Sequence, residues 1–175
     1  CGRHPEYYSE DPILTGTLMA YQARGLEENG VIATYKHLIA NNMEFERKSA
    51  HGIIDENTLR DLYLRVFHKA FSLYKPGCVM TSYNPVNGIY PCENSALLND
   101  LLRGEWGFDG FVMTDWGSYD TADSIRSVCA GTNLLTPGSK KHFRMILKAV
   151  KRNEISKAAL QHSVKQIVKV LVRCI

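Results

Sequence analysis

The sequence predicts an α/β fold of the (β/α)8 barrel type, and three observations point there. Apolar runs of strand length alternate with amphipathic helical stretches along the chain, a pattern that builds βαβ units with a parallel sheet and right-handed crossovers. Neither GxGxxG nor GxxxxGK(S/T) occurs, so the Gly-rich turn by which an open doubly wound sheet usually holds a nucleotide is missing. The polar residues gather at the C-terminal ends of the strands, where a barrel keeps its chemistry. Lys36 and His37 end the first strand, Ser82, Tyr83 and Asn84 the second, and Asp115 and Trp116 the third.

The stretch DPILTGTLMAYQARGLEENG, residues 11–30, opens with Pro12 at a first helical position and stops at Gly30. Its apolar residues Leu14, Leu18, Tyr21 and Leu26 are expected to face the core. VIATYKH, residues 31–37, reads as a strand. DENTLRDLYLRVFHKAFSLY, residues 55–74, is the longest helix, with Asp55 as cap and Leu59, Leu62, Tyr63, Val66, Phe67, Ala70, Phe71 and Tyr74 on one stripe. Lys75-Pro76-Gly77 breaks it. CVMTSYN, residues 78–84, is the second strand, and SALLNDLLRGEWG, residues 95–107, a short helix with Leu97, Leu98, Leu101 and Leu102 inward. Phe111-Val112-Met113-Thr114 is a short apolar run between Gly-rich turns, suited to a strand buried on both faces. TADSIRSVCAG is a helix stopped by Gly131, and NLLTPG, residues 133–138, a fourth strand. Two helices close the chain, the last with Ile155, Ala159, Val164, Ile167, Val168 and Leu171 on one side.

At 175 residues, 45% hydrophobic and 22% charged, the chain has the composition of one folded domain with a sizeable core. The formal charge of +3 is spread along the chain, with no basic footprint for nucleic acid. No apolar run approaches the ~20 residues of a membrane span. Cys1, Cys78, Cys92, Cys129 and Cys174 are odd in number, widely spaced and without ligand spacing, and read as reduced thiols. They hint at a reducing, cytoplasmic compartment.

Asp115 raises the chemical question. A carboxylate at the end of a buried strand loses hydration and must find donors or cations, or else its pKa rises. One reading makes it the cap of the turn GSYD that follows. The other makes it a functional carboxylate that Lys36, His37 and Tyr83, from neighbouring strand ends, hold ionised. Each of those partners has an ordinary structural role when taken alone: a core histidine, a snorkelling lysine, a packed tyrosine. Three such groups at two strand ends, beside the carboxylate at a third, favour a site.

The ordered motifs GRxxEYYSEDPxLTG, GVIATxKHxxANN, ER, VMTSYNxVNG, LLxxLLRGEWGFDGFVMTDWG and AGTNLLTPG resemble the second half of the catalytic barrel of glycoside hydrolase family three, from Cys1 to about Gly138. The resemblance implies that residues 1–175 form the C-terminal half of a (β/α)8 barrel with about four parallel strands. It implies that Asp115 is the catalytic nucleophile and that Arg3, Lys36, His37, Arg47, Met80, Tyr83 and Trp116 line the first sugar subsite. Glu6 and Asp11 are left as structural groups. The implied activity is that of a retaining exo-acting β-glycosidase, a β-glucosidase first, with a covalent glycosyl-enzyme on Asp115 and no cofactor or metal. Its substrate is a β-glucoside or oligosaccharide, with no nucleic-acid or membrane partner.

The sequence also departs from that family. Pro5 stands where a non-proline residue is usual, and Asn133 and Thr136 stand where Asp and Met are more usual. An early-strand Asp that grips the sugar, and the acid/base glutamate of a separate α/β-sandwich domain, are expected outside this chain, as partners from a longer polypeptide. KHLIANN lacks the KHFPGHG sequence of the β-N-acetylhexosaminidase branch. β-Xylosidase activity, and a non-catalytic carbohydrate-binding or structural fragment, stand as alternatives.

Overall fold

The computed structural model describes residues 2–174; Cys1 lies outside them. Three parallel strands, β1 (Thr34–Leu38), β2 (Cys78–Thr81) and β3 (Phe111–Thr114), form a sheet in the order β1-β2-β3. Helix α1 (Pro12–Glu27) precedes β1. A continuous helix over residues 56–73, here α2, joins β1 to β2 through the segments Glu56–Thr58, Leu59–Leu64 and Arg65–Leu73, and α3 (Ala96–Glu105) joins β2 to β3. The middle of α2 and the whole of α3 are wound more widely than an α-helix, and α3 closes with the Trp106 N–H donating to Leu101 O at 3.0 Å. Helices α4 (Ser124–Cys129), α5 (Lys140–Lys151) and α6 (Lys157–Leu171) follow.

Aspartates cap three of the helices, Asp55 as expected. Asp11 accepts from the Ile13 and Leu14 N–H groups to start α1, Asp55 from Thr58 N–H, and Asp123 from Ile125 and Arg126 N–H. Asp11 is thus structural. Gly30, at φ +79°, and Gly131, at φ +104°, stand where the chain leaves α1 and α4.

Alternation along the strands divides the sheet. Tyr35, Val79 and Val112 face a core built with Ala20, Phe67, Phe71, Leu98 and Leu102 of the first three helices. Cys78 and Phe111 face the other way and pack on Val170 of α6. Met80 and Met113 lie further along that second face, half-buried, with Asp115 two residues beyond Met113. Met80, Met113 and Asp115 therefore share one side of the sheet.

Four expectations are corrected. The segment read as a fourth strand is bound to β3 but is not a regular strand. Thr114 N–H donates to Leu134 O at 3.0 Å and Gly117 N–H to Thr136 O at 2.9 Å, with a single bridge between Met113 and Leu134. Pairing stops there because the Asn133 side chain takes the Val112 N–H, the Thr136 hydroxyl takes Thr114 O, and Pro137 has no N–H to give. Helix α1 buries Thr15, Gly16, Met19, Ala20 and Ala23, and Leu14, Leu18, Tyr21 and Leu26 are exposed. Close approach decides this: a Cβ on Gly16 would sit 2.5 Å from Val66 O and 2.8 Å from Lys69 Cβ of α2, so the crossing of the two helices admits no side chain at that position. On α6, Ile167 is half-buried, whereas Val164, Val168 and Leu171 are exposed. That helix approaches the sheet through Val170, whose Cγ1 lies where a side chain on Gly77 would begin. In the long helix, too, Leu62 of the expected stripe is exposed.

Candidate active site

A register shift in β1 builds the first part of the site. Tyr35 pairs with Val79 and Leu38 with Thr81, so Lys36 and His37 together stand opposite Met80. A bulge of this kind re-aims side chains at a sheet end. It places His37 Nε2 3.4 Å from Asp115 Oδ2, across the sheet from β3.

Asp115 is 8% exposed. Its N–H donates to Thr81 O at 3.1 Å, tying the end of β3 to β2, and its Oδ1 accepts the Trp116 N–H at 2.7 Å. Its Oδ2 has no hydrogen-bond partner among the described residues. Burial pushes the carboxyl above the usual aspartate range, against the Trp116 N–H and the positive charges of Arg3 and Lys36. One oxygen is thus anchored and the other is left free.

His37 is 4% exposed. Burial, followed by the charges of Lys36 and Arg3, pushes its pKa down to about 3, so the imidazole is neutral throughout the physiological range. The contact with Asp115 is therefore a long neutral approach and not an ion pair. On its other side, His37 Nδ1 lies 2.8 Å from the Tyr7 hydroxyl.

The cations are held by carboxylates. Arg3, 6% exposed, pairs through Nη2 with Glu6 Oε1 at 2.8 Å and through Nη1 with Glu44 Oε1 at 3.1 Å. The same Nη1 donates to the Tyr83 hydroxyl. Glu6 also takes Lys36 Nζ at 2.9 Å, and this bond, with the charge of Arg3, holds its carboxyl below the usual range. Glu44 takes Arg47 Nη1 at 3.2 Å. The Arg3 and Arg47 guanidinium carbons lie 5.6 and 5.4 Å from the centre of the buried Tyr83 ring. Lys48 Nζ reaches Asp120 Oδ2 at 2.7 Å and Gly117 O at 3.4 Å, a tie between the loop after β1 and the turn after Asp115.

The structure thus links Arg3, Lys36, His37, Arg47, Tyr83 and Asp115 through direct contacts or shared partners. Met80 shares the face of the sheet to which Asp115 belongs, and Trp116 is 70% exposed beside it. Sequence reasoning missed Tyr7 and Glu44 and left Glu6 as a structural group. Nothing in the periodicity separates Tyr7 from Tyr8, and Glu44 sits in a loop where one carboxylate looks like another.

A sheet end that gathers one aimed carboxylate and a rim of charge-assisted donors has the chemistry to grip a polyhydroxylated ligand and to attack it. Residues 1–170 match the glycosyl hydrolase family 3 N-terminal domain, and the chain belongs to that family. It is 39% identical over 173 residues to the probable beta-glucosidase J of Aspergillus fumigatus, with 97% of this chain and 20% of that protein covered. It is 41% identical over 172 residues to the thermostable beta-glucosidase B of Acetivibrio thermocellus, covering 98% of this chain and 22% of that one. The solved structure of beta-glucosidase 3B from Thermotoga neapolitana in complex with glucose superimposes with a TM-score of 0.94 at 40% identity, over 99% of this chain and 25% of that one. The chain therefore spans about a fifth of the length of the curated relatives it matches.

Proposed function

We propose that this chain carries the nucleophile half of a retaining β-glucosidase active site, and that it works as the C-terminal half of a (β/α)8 barrel within a longer polypeptide. Asp115 Oδ2 attacks the anomeric carbon of a terminal β-linked glucoside while the bond to the leaving oxygen breaks, giving a covalent glycosyl-enzyme. Water then displaces Asp115 and restores the configuration of the sugar. The carboxyl that protonates the leaving oxygen, and later deprotonates the water, is expected from outside this chain, ~5–5.5 Å from Asp115. Arg3, Lys36, His37 and Arg47 meet the hydroxyls of the sugar, and Tyr83, Met80 and Trp116 supply the wall.

The observation that carries this reading is the asymmetry of the Asp115 carboxyl. One oxygen is fixed by the Trp116 N–H, while the other is buried, unpartnered and faced by a neutral imidazole. An imidazolium there would pair with the carboxylate and blunt it as a nucleophile. The beta-glucosidase names of the relatives, and the glucose-bound neighbour, support the substrate class.

The test is trapping in the full-length polypeptide. A 2-deoxy-2-fluoro-β-glucosyl fluoride should leave one covalent sugar, located on Asp115 by peptide mass spectrometry. Label on another carboxylate, or turnover that survives Asp115→Ala, removes the assignment.

A further inference from the structure

The site contains a contact that the proposed chemistry does not use directly. Tyr7 and Glu6 are consecutive, and so are Lys36 and His37. Glu6 holds Lys36 at 2.9 Å and Tyr7 holds His37 at 2.8 Å, so one adjacent pair grips the other. The Tyr7 ring meets the imidazole edge-on, with centroids 6.2 Å apart and planes at 75°. The short helical turn His4–Glu6 sets this pair, closing with the Tyr7 N–H on His4 O at 3.1 Å.

Resting on the reading of Asp115 as the nucleophile, we infer that Tyr7 is a positioning residue that locks His37 in the tautomer with its proton on Nε2, so that an N–H and not a lone pair faces Asp115. A neutral imidazole has one donor and one acceptor, and the bond made by one nitrogen decides the state of the other. Burial raises the Tyr7 hydroxyl above its ordinary pKa, so it keeps its proton and can donate to Nδ1. The opposite arrangement would set the Nε2 lone pair against the unpartnered carboxylate oxygen 3.4 Å away, in a buried site where unmatched polar atoms are costly. With the ring seated among Tyr7, Lys36 and Asp115, the Nε2–H is offered to the side where the sugar and the reacting oxygen meet. A tautomer slip would withdraw that donor without moving any heavy atom.

The test uses the full-length polypeptide labelled with 15N-histidine, the His37 signals being identified by their loss in His37→Gln. The wild type should show the Nε2–H pattern of 15N shifts, and Tyr7→Phe should lose that preference while its circular dichroism stays that of the wild type. With an aryl β-glucoside, Tyr7→Phe should lower kcat/KM about 10- to 100-fold, the range found when the partner that orients a metal-binding histidine is removed. In a His37→Gln background, which keeps a donor near the Nε2 position and has no tautomers, Tyr7→Phe should add less than about threefold. An Nδ1–H pattern in the wild type, an unchanged Nε2–H pattern in Tyr7→Phe, or losses that simply multiply in the double variant would overturn the inference. A wild type that turns over no β-glucoside removes the activity proposed above, while the 15N shifts of the same sample still decide what Tyr7 does.

Discussion

Asn133→Asp should stabilise this domain, because Arg103 is a half-buried cation with no carboxylate within ion-pairing distance among the described residues, only the more distant charge of Asp109. Arg103 donates to Gly110 O and Asn133 Oδ1, both at 2.9 Å, with its guanidinium 5.4 Å from the Phe108 ring, and burial lowers its pKa. Asn133 also accepts the Val112 N–H at 2.7 Å and gives its amide to Ser163 Oγ at 3.1 Å. A carboxylate in its place adds an ion pair of about 4 kcal/mol at 4 Å and an effective dielectric of 20. It also strengthens the Val112 bond by about 1 kcal/mol. Against this stand about 1 kcal/mol for the lost amide donor and about 3 kcal/mol for drying a half-buried carboxylate, since the arginine is already dehydrated. The net gain is about 1 kcal/mol, or a Tm about 2–4 °C higher for a domain of this size, read by thermal unfolding followed by circular dichroism. The new carboxylate is held below its unfolded pKa, so the gain should be present above about pH 4 and vanish as pH falls through the folded value. Asn133→Leu, which strands the Arg103 and Val112 donors, should cost about 2–4 kcal/mol. An Asn133→Asp variant less stable than wild type at pH 7, or equally advantaged at pH 3 and pH 7, would refute the reasoning.

Other outcomes follow from the same geometry. His37, with an unfolded pKa near 6.5 and a folded one of about 3, contributes stability that is full above pH 6.5. That contribution should shrink by about 1.4 kcal/mol per pH unit as pH falls from 6.5 towards 3; denaturant midpoints of wild type and His37→Gln should diverge in slope there, and parallel lines would rule the burial argument out. Asp115 has the opposite sign, since burial raises its pKa. The acid limb of kcat/KM should therefore lie above the ordinary aspartate range, and a limb at or below pH 3.8 contradicts it. Gly16→Ala should lower stability by about 1–3 kcal/mol despite the better helix propensity of alanine, because its Cβ meets Val66 O; an unchanged Tm would show that α1 can shift. The 175-residue chain alone should not hydrolyse an aryl β-glucoside, because the acid/base expected from elsewhere is typically worth ~10²–10⁴ in rate; measurable turnover by the chain alone would place that group within it.

Much of this arrangement was legible in the residues, and the failures have physical reasons. Alternation of apolar runs with helical stripes exposed the parallel sheet, and the abrupt step from Thr114 to Asp115 marked the strand end that holds the carboxylate. Asp55 announced its helix start because capping is local. Helix faces were harder to read. In α1 hydrophobicity favoured the leucines, whereas packing favoured glycine and alanines, because the distance between helices is set by the smallest side chains and not the most apolar ones. The segment after Asn133 has strand composition, but the side chains of Asn133 and Thr136 occupy positions that a ladder would need. The bond between Tyr7 and His37 was out of reach, since it depends on a one-residue bulge that no pattern in β1 advertises.

The clamp around Arg3 has a consequence for how the site meets its ligand from a distance. Arg3, Lys36 and Arg47 are matched by Glu6, Glu44 and Asp115, and His37 adds no charge. The cluster is dense in charge yet electroneutral, and its dipoles cancel within a few ångströms, well inside the ~8–10 Å over which salt screens exposed charges. It therefore exerts no long-range pull. These six residues by themselves give neither a charged nor a neutral ligand a long-range electrostatic advantage, and their discrimination begins only at contact, where each polar group of a ligand must find its own donor or acceptor.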